Sequence, residues 1–156
     1  MMITIRPAKE HDRASLFSLV AGISNFNPEE IELAREVIGD ALDSQKNGYH
    51  LLVAEDSEGR LPGFICYGPI PIADKRWDLY WIGVAPHQAR GGIGSQLLAA
   101  METRLGPGMR VYVDTSSTPG YTSARSFYER HGYQVAGVFP DFYRTGDDKI
   151  VYCKDL

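Results

Sequence analysis

A glycine-rich loop between a strand and a helix is the stretch of this sequence best suited to chemistry. Residues 84–94 read Val-Ala-Pro-His-Gln-Ala-Arg-Gly-Gly-Ile-Gly, after an apolar run and before a segment with apolar residues at helical spacing. The first turn of a helix offers unpaired N–H groups and the positive end of the helix dipole. The loop therefore predicts a phosphate or pyrophosphate site. The alternative is a turn that needs glycine only for its backbone angles.

Two common phosphate-binding motifs do not fit this loop. In a dinucleotide fingerprint starting at Gly92 and Gly94, the third glycine would fall on Leu97. A nucleoside-triphosphate loop needs Gly-Lys-Ser or Gly-Lys-Thr, and neither tripeptide occurs in the sequence. A different phosphate carrier is therefore expected.

The loop resembles the acyl-CoA pyrophosphate loop of the GNAT superfamily of N-acetyltransferases. Val84, Pro86, Gly92 and Gly94 match the family spacing, whereas Ala89 stands where the family usually has Arg or Gln. The resemblance implies that acetyl-CoA is the cosubstrate and that the cationic partner of its phosphates is Arg90. It places the following residues around the pyrophosphate: Arg90, Gly91, Gly92, Ile93, Gly94 and Ser95.

A second segment, residues 122–133, resembles the other GNAT signature, Asn-x-x-Ala-x-x-(aliphatic)-Tyr-x-x-x-Gly-Phe. Ala124, Tyr128 and Gly132 fall on the expected positions, and Tyr121 replaces the family asparagine. The resemblance implies that Tyr128 contacts CoA and protonates the departing thiolate, with Tyr121 and Tyr143 as alternative phenols. Alternatively, Tyr128 is an aromatic residue on the buried face of the last helix. Gly132 also suits a helix C-cap.

The resemblance implies direct attack of a primary amine, on a small molecule or a peptide N-terminus, on the acetyl thioester. Backbone groups of Ile82, Gly83 and Val84 on the fourth strand would hold the pantetheine arm and the acetyl carbonyl. Gly83 is equally explained by close ligand approach or by packing. Asp78 is the candidate general base and Asp114 its alternative, although solvated carboxylates would look the same.

Two other functions stay open on the sequence alone: a regulatory domain that binds acyl-CoA without turnover, and an O-acetyltransferase. His87 and His131 are not assigned a role, because His87 would lie beside the CoA loop and His131 near a helix C-terminus, where histidine is common.

The residue pattern predicts a single α/β domain spanning residues 1–156 in the order β-α-α-β-β-β-α-β-α-β-β. This is also the GNAT order, and it implies a mixed, mostly antiparallel sheet flanked by helices. The strands are predicted at 3–6, 49–55, 61–67, 77–85, 109–115, 133–138 and 150–154, and the helices at 9–22, 27–42, 92–105 and 122–131.

Composition limits the class of protein. With 44% hydrophobic and 23% charged residues, the 156-residue chain is typical of a globular protein. The net charge of −4, without a run of five basic residues, disfavours a nucleic-acid partner. No apolar run approaches membrane-spanning length and no signal-peptide core follows Met1, so we expect a cytoplasmic enzyme without a membrane partner. A homodimer is compatible with the sequence. Cys66 and Cys153 are interpreted as core residues rather than as a disulfide or a metal site.

The stretch 140–149 separates the last two predicted strands. Its aromatic and acidic residues would suit the floor of an amine pocket, and it distantly resembles a Tyr-rich acidic segment of the ribosomal-protein N-terminal acetyltransferases. A solvated Gly-Asp turn explains it equally well.

Overall fold

The element order predicted from the sequence is confirmed in a computed structural model, which describes residues 2–23, 26–43, 48–88 and 91–156. The strands are β1 (Thr4–Pro7), β2 (His50–Glu55), β3 (Gly63–Pro69), β4 (Arg76–Val84), β5 (Arg110–Ser116), β6 (Gln134–Arg144) and β7 (Asp147–Asp155). The helices are α1 (Arg13–Ala21), α2 (Pro28–Asp43), α3 (Ile93–Leu105) and α4 (Thr122–Arg130).

The sheet is mixed, as predicted, with strand order β1-β2-β3-β4-β5-β7-β6. β4 and β5 are parallel, because the helical crossover through α3 connects them. The pairs β1–β2, β2–β3, β5–β7 and β6–β7 are antiparallel.

Contacts within the chain group it into two compact units. Unit 1 comprises Met1–Gly68 and Tyr80–Leu105, and unit 2 comprises Pro69–Leu79 and Gly106–Leu156. The proposal of one domain over residues 1–156 stays a prediction.

The core of unit 1 lies on both sides of β2 and β3. Leu51 and Val53 of β2 and Phe64 and Cys66 of β3 belong to a buried cluster with apolar residues of α1 and α2. The alternate residues of both strands, such as Leu52, are also buried, on the side where α3 packs. Strand alternation therefore gives β2 and β3 two apolar faces, each covered by helices. Cys66 is a core residue, as predicted.

A buried ion pair fixes the first strand to the first helix. The Arg6 guanidinium donates to both carboxylate oxygens of Asp12, at 2.8 and 3.0 Å, and to Glu55 on β2 at 3.1 Å. Asp12 also accepts the Lys9 amide at 2.7 Å and is only 4% exposed. Charged groups are buried at low cost only when paired in this way.

Local sequence signals explain where α2 begins and where α4 ends. At the start of α2, the Glu30 amide donates to the Asn27 side chain at 2.8 Å, and the Asn27 amide to Glu30 at 3.2 Å. This is the capping box. At the end of α4, Gly132 has φ +87°, which suits the glycine C-cap.

Strand alternation in unit 2 divides the side chains between two faces. Val113 on β5 pairs with Tyr152 on β7, and the Tyr152 hydroxyl donates to Glu129 of α4 at 3.3 Å. This side is the α4 face. Asp78 pairs with Tyr112, the residue before Val113, so both project from the opposite side, the Asp78 face.

The C-terminal hairpin is longer than predicted. The predicted strands 133–138 and 150–154 were too short, because β6 reaches Arg144 and β7 begins at Asp147, leaving a tight turn. Pro140 and the positive φ of Asp141 (55°) lie inside β6, where the register with β7 is irregular. Such irregularities accommodate proline and left-handed residues without ending a strand.

We expect Asp12→Ala to lower the free energy of unfolding at pH 7 by about 1.5–3 kcal/mol, because charge-assisted hydrogen bonds are lost. Hydrogen bonds from Arg6, and then from the Lys9 amide, hold the pKa of Asp12 below its ordinary value. The stabilisation is therefore fully present above about pH 4 and is lost as the pH falls through the lowered folded-state pKa. Urea unfolding of both proteins across this range measures the effect.

Asp155→Ala is the control, since it removes an exposed carboxylate paired with Arg110. It should change stability far less. A stability difference between wild type and Asp12→Ala that is the same at pH 7 and at pH 2 would contradict the ion-pair explanation.

Candidate functional site

The glycine loop enters α3 through a backbone conformation that glycine adopts with much less strain than other residues. Gly92 has φ +78°, and its carbonyl accepts the Gln96 amide at 3.0 Å as the first turn of the helix closes. The Gly91 amide donates back to the Gln88 carbonyl at 3.0 Å. The first amides of a helix generally lack an intrahelical acceptor, so this end of α3 is suited to donate to an anion.

Packing on β3 fixes where this helix terminus lies. A Cβ atom at Gly63 would be 3.0 Å from Ile93 and 3.1 Å from Leu97, so the missing side chain lets α3 approach β3 closely. The Ala85 amide donates to the Pro62 carbonyl at 2.8 Å and ties the end of β4 to the same region. Ile93 and Leu97 are buried, whereas Gly91 and Gly92 are exposed.

The other predicted pyrophosphate contacts differ in how far the structure describes them. Gly94 and Ser95 lie in the first turn of α3 and are half-buried. Arg90, the predicted phosphate cation, and Ala89 lie outside the described residues.

Gly83 is explained by packing. A Cβ atom there would lie 2.6 Å from Ile23 and 2.7 Å from Phe64, so two core side chains occupy the space. This favours the packing interpretation over the need for room beside a ligand. The backbone role predicted for Gly83 is untouched by this finding, and its neighbours Ile82 and Val84 are half-buried.

Tyr128 is a buried phenol in unit 2. It is 6% exposed, and its ring lies among those of Phe127, Tyr133 and Tyr152, with centroids 5.6 to 6.0 Å away. Burial raises the pKa of Tyr128 above its ordinary value, so the phenol stays protonated at neutral pH. Its hydroxyl has no hydrogen-bond partner among the described residues.

Asp78 is a half-buried carboxyl on β4 with charged neighbours in the same unit. Burial, and then the Asp114 carboxylate, raise the pKa of Asp78, while Lys149 opposes the rise. The Lys149 ammonium lies 3.4 Å from the Asp114 carboxylate. A carboxyl with a raised pKa is a stronger proton acceptor once ionised, which suits a general base.

The predicted acid and base lie on opposite faces of the strands of unit 2. Tyr128 contacts Tyr152 on the α4 face, whereas Asp78 projects from the other face. The two groups therefore do not pair with each other.

The two histidines without an assigned role and the two alternative phenols each have a defined position in the structure. The His131 imidazole contacts the Phe127 carbonyl at 2.7 Å, across one turn at the end of α4. Tyr143 packs edge-on against Phe142 at 5.2 Å on β6. His87 lies in a short 3₁₀ helix after β4, and Tyr121 in another before α4.

Sequence reasoning considered residues 140–149 as the floor of an amine pocket but did not single out Lys149 or Phe139. The Lys149 ammonium lies 4.4 Å from the ring centroid of Phe142 and 5.5 Å from that of Phe139. Three aromatic residues in 139–143 were a signal for a strand, but Pro140 and Asp141 favoured a loop.

No helix of the described residues is long and apolar enough to cross a membrane. Within the same residues, no group of three or more His, Cys, Asp or Glu side chains could hold a metal ion. The half-buried Cys153 and the buried Cys66 are both free thiols. A cytoplasmic location stays a prediction.

Comparison with known proteins identifies the family. The family model of the acetyltransferase (GNAT) domain matches residues 47–135, more than half of the chain. The chain belongs to the GNAT family of acetyltransferases. Acetyl-CoA is therefore the cosubstrate, as the glycine loop and the second signature predicted.

Individual GNAT relatives agree with this fold. A solved structure from Desulfovibrio desulfuricans, assigned to the GNAT family, is 35% identical with a TM-score of 0.91 over 99% of each chain. The PaiA N-acetyltransferase of Thermoplasma acidophilum, solved with coenzyme A, is 22% identical with a TM-score of 0.76 over 100% of each chain. The mycothiol acetyltransferase of Clavibacter sepedonicus is 29% identical over 124 residues, which are 76% of this chain but 38% of that protein.

We expect Gly92→Ala to weaken acetyl-CoA binding at least about tenfold, because a strained left-handed alanine would shift the amides of the loop. Gly59→Ala is a matched control. Gly59 has φ +80° in the β2–β3 turn, and an added Cβ would meet nothing within 4 Å at either glycine. Both variants should lose similar stability, about 1 kcal/mol, but only Gly92→Ala should lose affinity in isothermal titration. Equal acetyl-CoA affinity in the two variants would indicate that Gly92 serves only the backbone conformation of a turn.

Proposed function

We propose that this GNAT protein transfers the acetyl group of acetyl-CoA to a primary amine of a small molecule or a peptide N-terminus by direct attack. The observation that supports an amine as the acceptor is the half-buried Asp78, whose pKa is raised by burial and by Asp114. Such a carboxylate attracts a cationic amine and accepts its proton. An alcohol acceptor would require a stronger base.

The residues of the proposal have distinct tasks. Amides of Gly91, Gly92, Ile93, Gly94 and Ser95, with Arg90, bind the pyrophosphate, and backbone groups of Ile82, Gly83 and Val84 hold the pantetheine arm and the acetyl carbonyl. Asp78 takes the proton of the amine, directly or through water. Tyr128 gives a proton to the CoA thiolate as the carbon–sulfur bond breaks.

The protonation state of Tyr128 supports its assignment. A phenol whose pKa is raised by burial is fully protonated at neutral pH, and its hydroxyl bonds to none of the residues that the structure describes. A cytoplasmic enzyme and a homodimer are further parts of the proposal that rest on the sequence alone.

Thiol release from acetyl-CoA tests the proposal directly. Butylamine and a short peptide with a free N-terminus should both be compared with 1-butanol, each at the same concentration. Amine-dependent release supports N-acetyl transfer, while release with the alcohol only would favour O-acetyl transfer. Acetyl-CoA binding without release for any acceptor would favour the regulatory alternative.

Tyr128→Phe should lower kcat by about a hundredfold or more, because the general acid is lost, while acetyl-CoA affinity is kept. Tyr152→Phe is the control, since its ring contacts Tyr128 and its hydroxyl bonds Glu129 instead. Steady-state kinetics and titration measure both quantities. An equal loss of kcat in the two variants would indicate that the aromatic cluster, rather than the Tyr128 hydroxyl, matters.

Asp78→Asn should lower kcat/KM by about a hundredfold, as expected for loss of a general base. In wild type, activity should fall as the pH drops through the raised pKa of Asp78, because only its ionised form accepts a proton. Asp114→Asn removes a charge that raises this pKa, so the acidic limb should move to lower pH. Ionisation of the amine itself is common to all variants. An acidic limb that stays in place in both variants would exclude Asp78 as the base.

A further inference from the structure

The Lys149 ammonium lies between two aromatic rings and a carboxylate. Its nitrogen is 4.4 Å from the Phe142 centroid, 5.5 Å from the Phe139 centroid and 3.4 Å from the Asp114 carboxylate. The three partners come from β5 and β6, and Lys149 comes from β7, all within unit 2. Asp114, Phe139 and Phe142 are together called the ammonium cage.

Strand register brings these residues together. Lys149 pairs with Phe139 on β6 and with Ser116 on β5, and Asp114 is two residues from Ser116 on the same side. The cage therefore projects from the Asp78 face. The influence of both Asp114 and Lys149 on the pKa of Asp78 agrees with this placement.

The walls of the cage are more exposed than the lysine between them. The Lys149 side chain is 22% exposed, whereas Asp114 is 48%, Phe139 49% and Phe142 56% exposed. Phe139 and Phe142 also contact each other, with centroids 6.4 Å apart. The cage is thus accessible to a solute, and its rings support each other.

We propose that the ammonium cage is a subsite for a second, cationic amine of the acceptor, which Lys149 occupies when no acceptor is bound. This inference rests on the proposed function and names its substrate class, a diamine or a longer polyamine. Carboxylates and aromatic faces bind ammonium groups by charge and by the ring quadrupole. The lysine shows that a primary ammonium fits among these three groups.

The two amines of such a substrate must be in different protonation states during acyl transfer. The amine that attacks must be neutral, since its lone pair forms the new bond to the acetyl carbon as the carbon–sulfur bond breaks. It loses one proton, and the thiolate gains one. An ammonium held by Asp114 is charged and cannot attack, so the caged nitrogen orients the substrate while its other nitrogen reacts.

A tethered lysine is an internal competitor for the cage. Because its effective concentration is high, it lowers the apparent affinity of any external ammonium. Removal of the Lys149 ammonium should therefore strengthen diamine binding far more than removal of a lysine outside the cage.

The test is binding of 1,4-diaminobutane to the whole protein, without acetyl-CoA, followed by NMR or calorimetry. Lys149→Met and Lys149→Ala should each bind the diamine about tenfold more tightly than wild type, and Asp114→Asn should bind it more weakly. Two lysine variants are used because methionine could itself fill the cage. Thermal unfolding verifies that each variant is folded.

Lys154→Met is the matched control. Lys154 is on the same strand and lies 5.6 Å above the Tyr133 ring, so its loss changes the net charge equally without opening the cage. Unchanged or weaker diamine binding in both Lys149 variants, equal tightening in Lys154→Met, or no binding in any variant would overturn the proposal.

Failure of this inference is distinguishable from failure of the proposed function. The binding test involves neither acetyl-CoA nor turnover. Tighter diamine binding in the Lys149 variants without thiol release would retain the cage and reject acyl transfer to amines. Amine-dependent thiol release, with no effect of the Lys149 variants on diamine binding, would retain acyl transfer to amines and reject the cage.

Discussion

Close approach of α3 to β3 is the constraint on which the acetyl-CoA loop depends. Ile93 and Leu97 lie where a side chain at position 63 would be, and Gly83 leaves its own space to Phe64 and Ile23. Protein interiors are packed too densely to absorb an added methyl group at such distances. With both glycines in place, the helix terminus has one position relative to β3, and Gly92 turns the chain into the helix at that point.

The loop and the order of the elements were predictable from the sequence because both depend on local properties of the chain. A left-handed glycine, a helix cap and strand alternation are local properties, and each is encoded within a few residues. The periodicity along the chain predicted the element order, and the two motifs predicted the family and the Gly132 cap. The reason for Gly83 did not, because Ile23 is distant in sequence and only packing brings it to β4.

The C-terminal hairpin shows the limit of local reasoning. Pro140, Asp141 and Gly146 are typical loop residues, yet the first two lie within β6, where pairing with β7 maintains the strand. Cross-strand register is a long-range property, and it alone aligns Asp114, Phe139 and Lys149. Asp114 and the stretch 140–149 could each be noted in the sequence, but that Lys149 lies beside Asp114 and Phe139 could not be predicted before the register was known.

The two faces of unit 2 also separate two electrostatic tasks. On the α4 face, aromatic rings surround Tyr128 and disfavour its phenolate, which keeps a proton available for a departing anion. On the Asp78 face, Asp114 and Lys149 lie close enough to Asp78 to shift its pKa, and the two carboxylates attract cations locally. If both environments lay on one face, the carboxylates would attract cations towards the phenol and hydrate its surroundings. Strand alternation prevents this, because neighbouring residues of one strand project from opposite faces of the sheet.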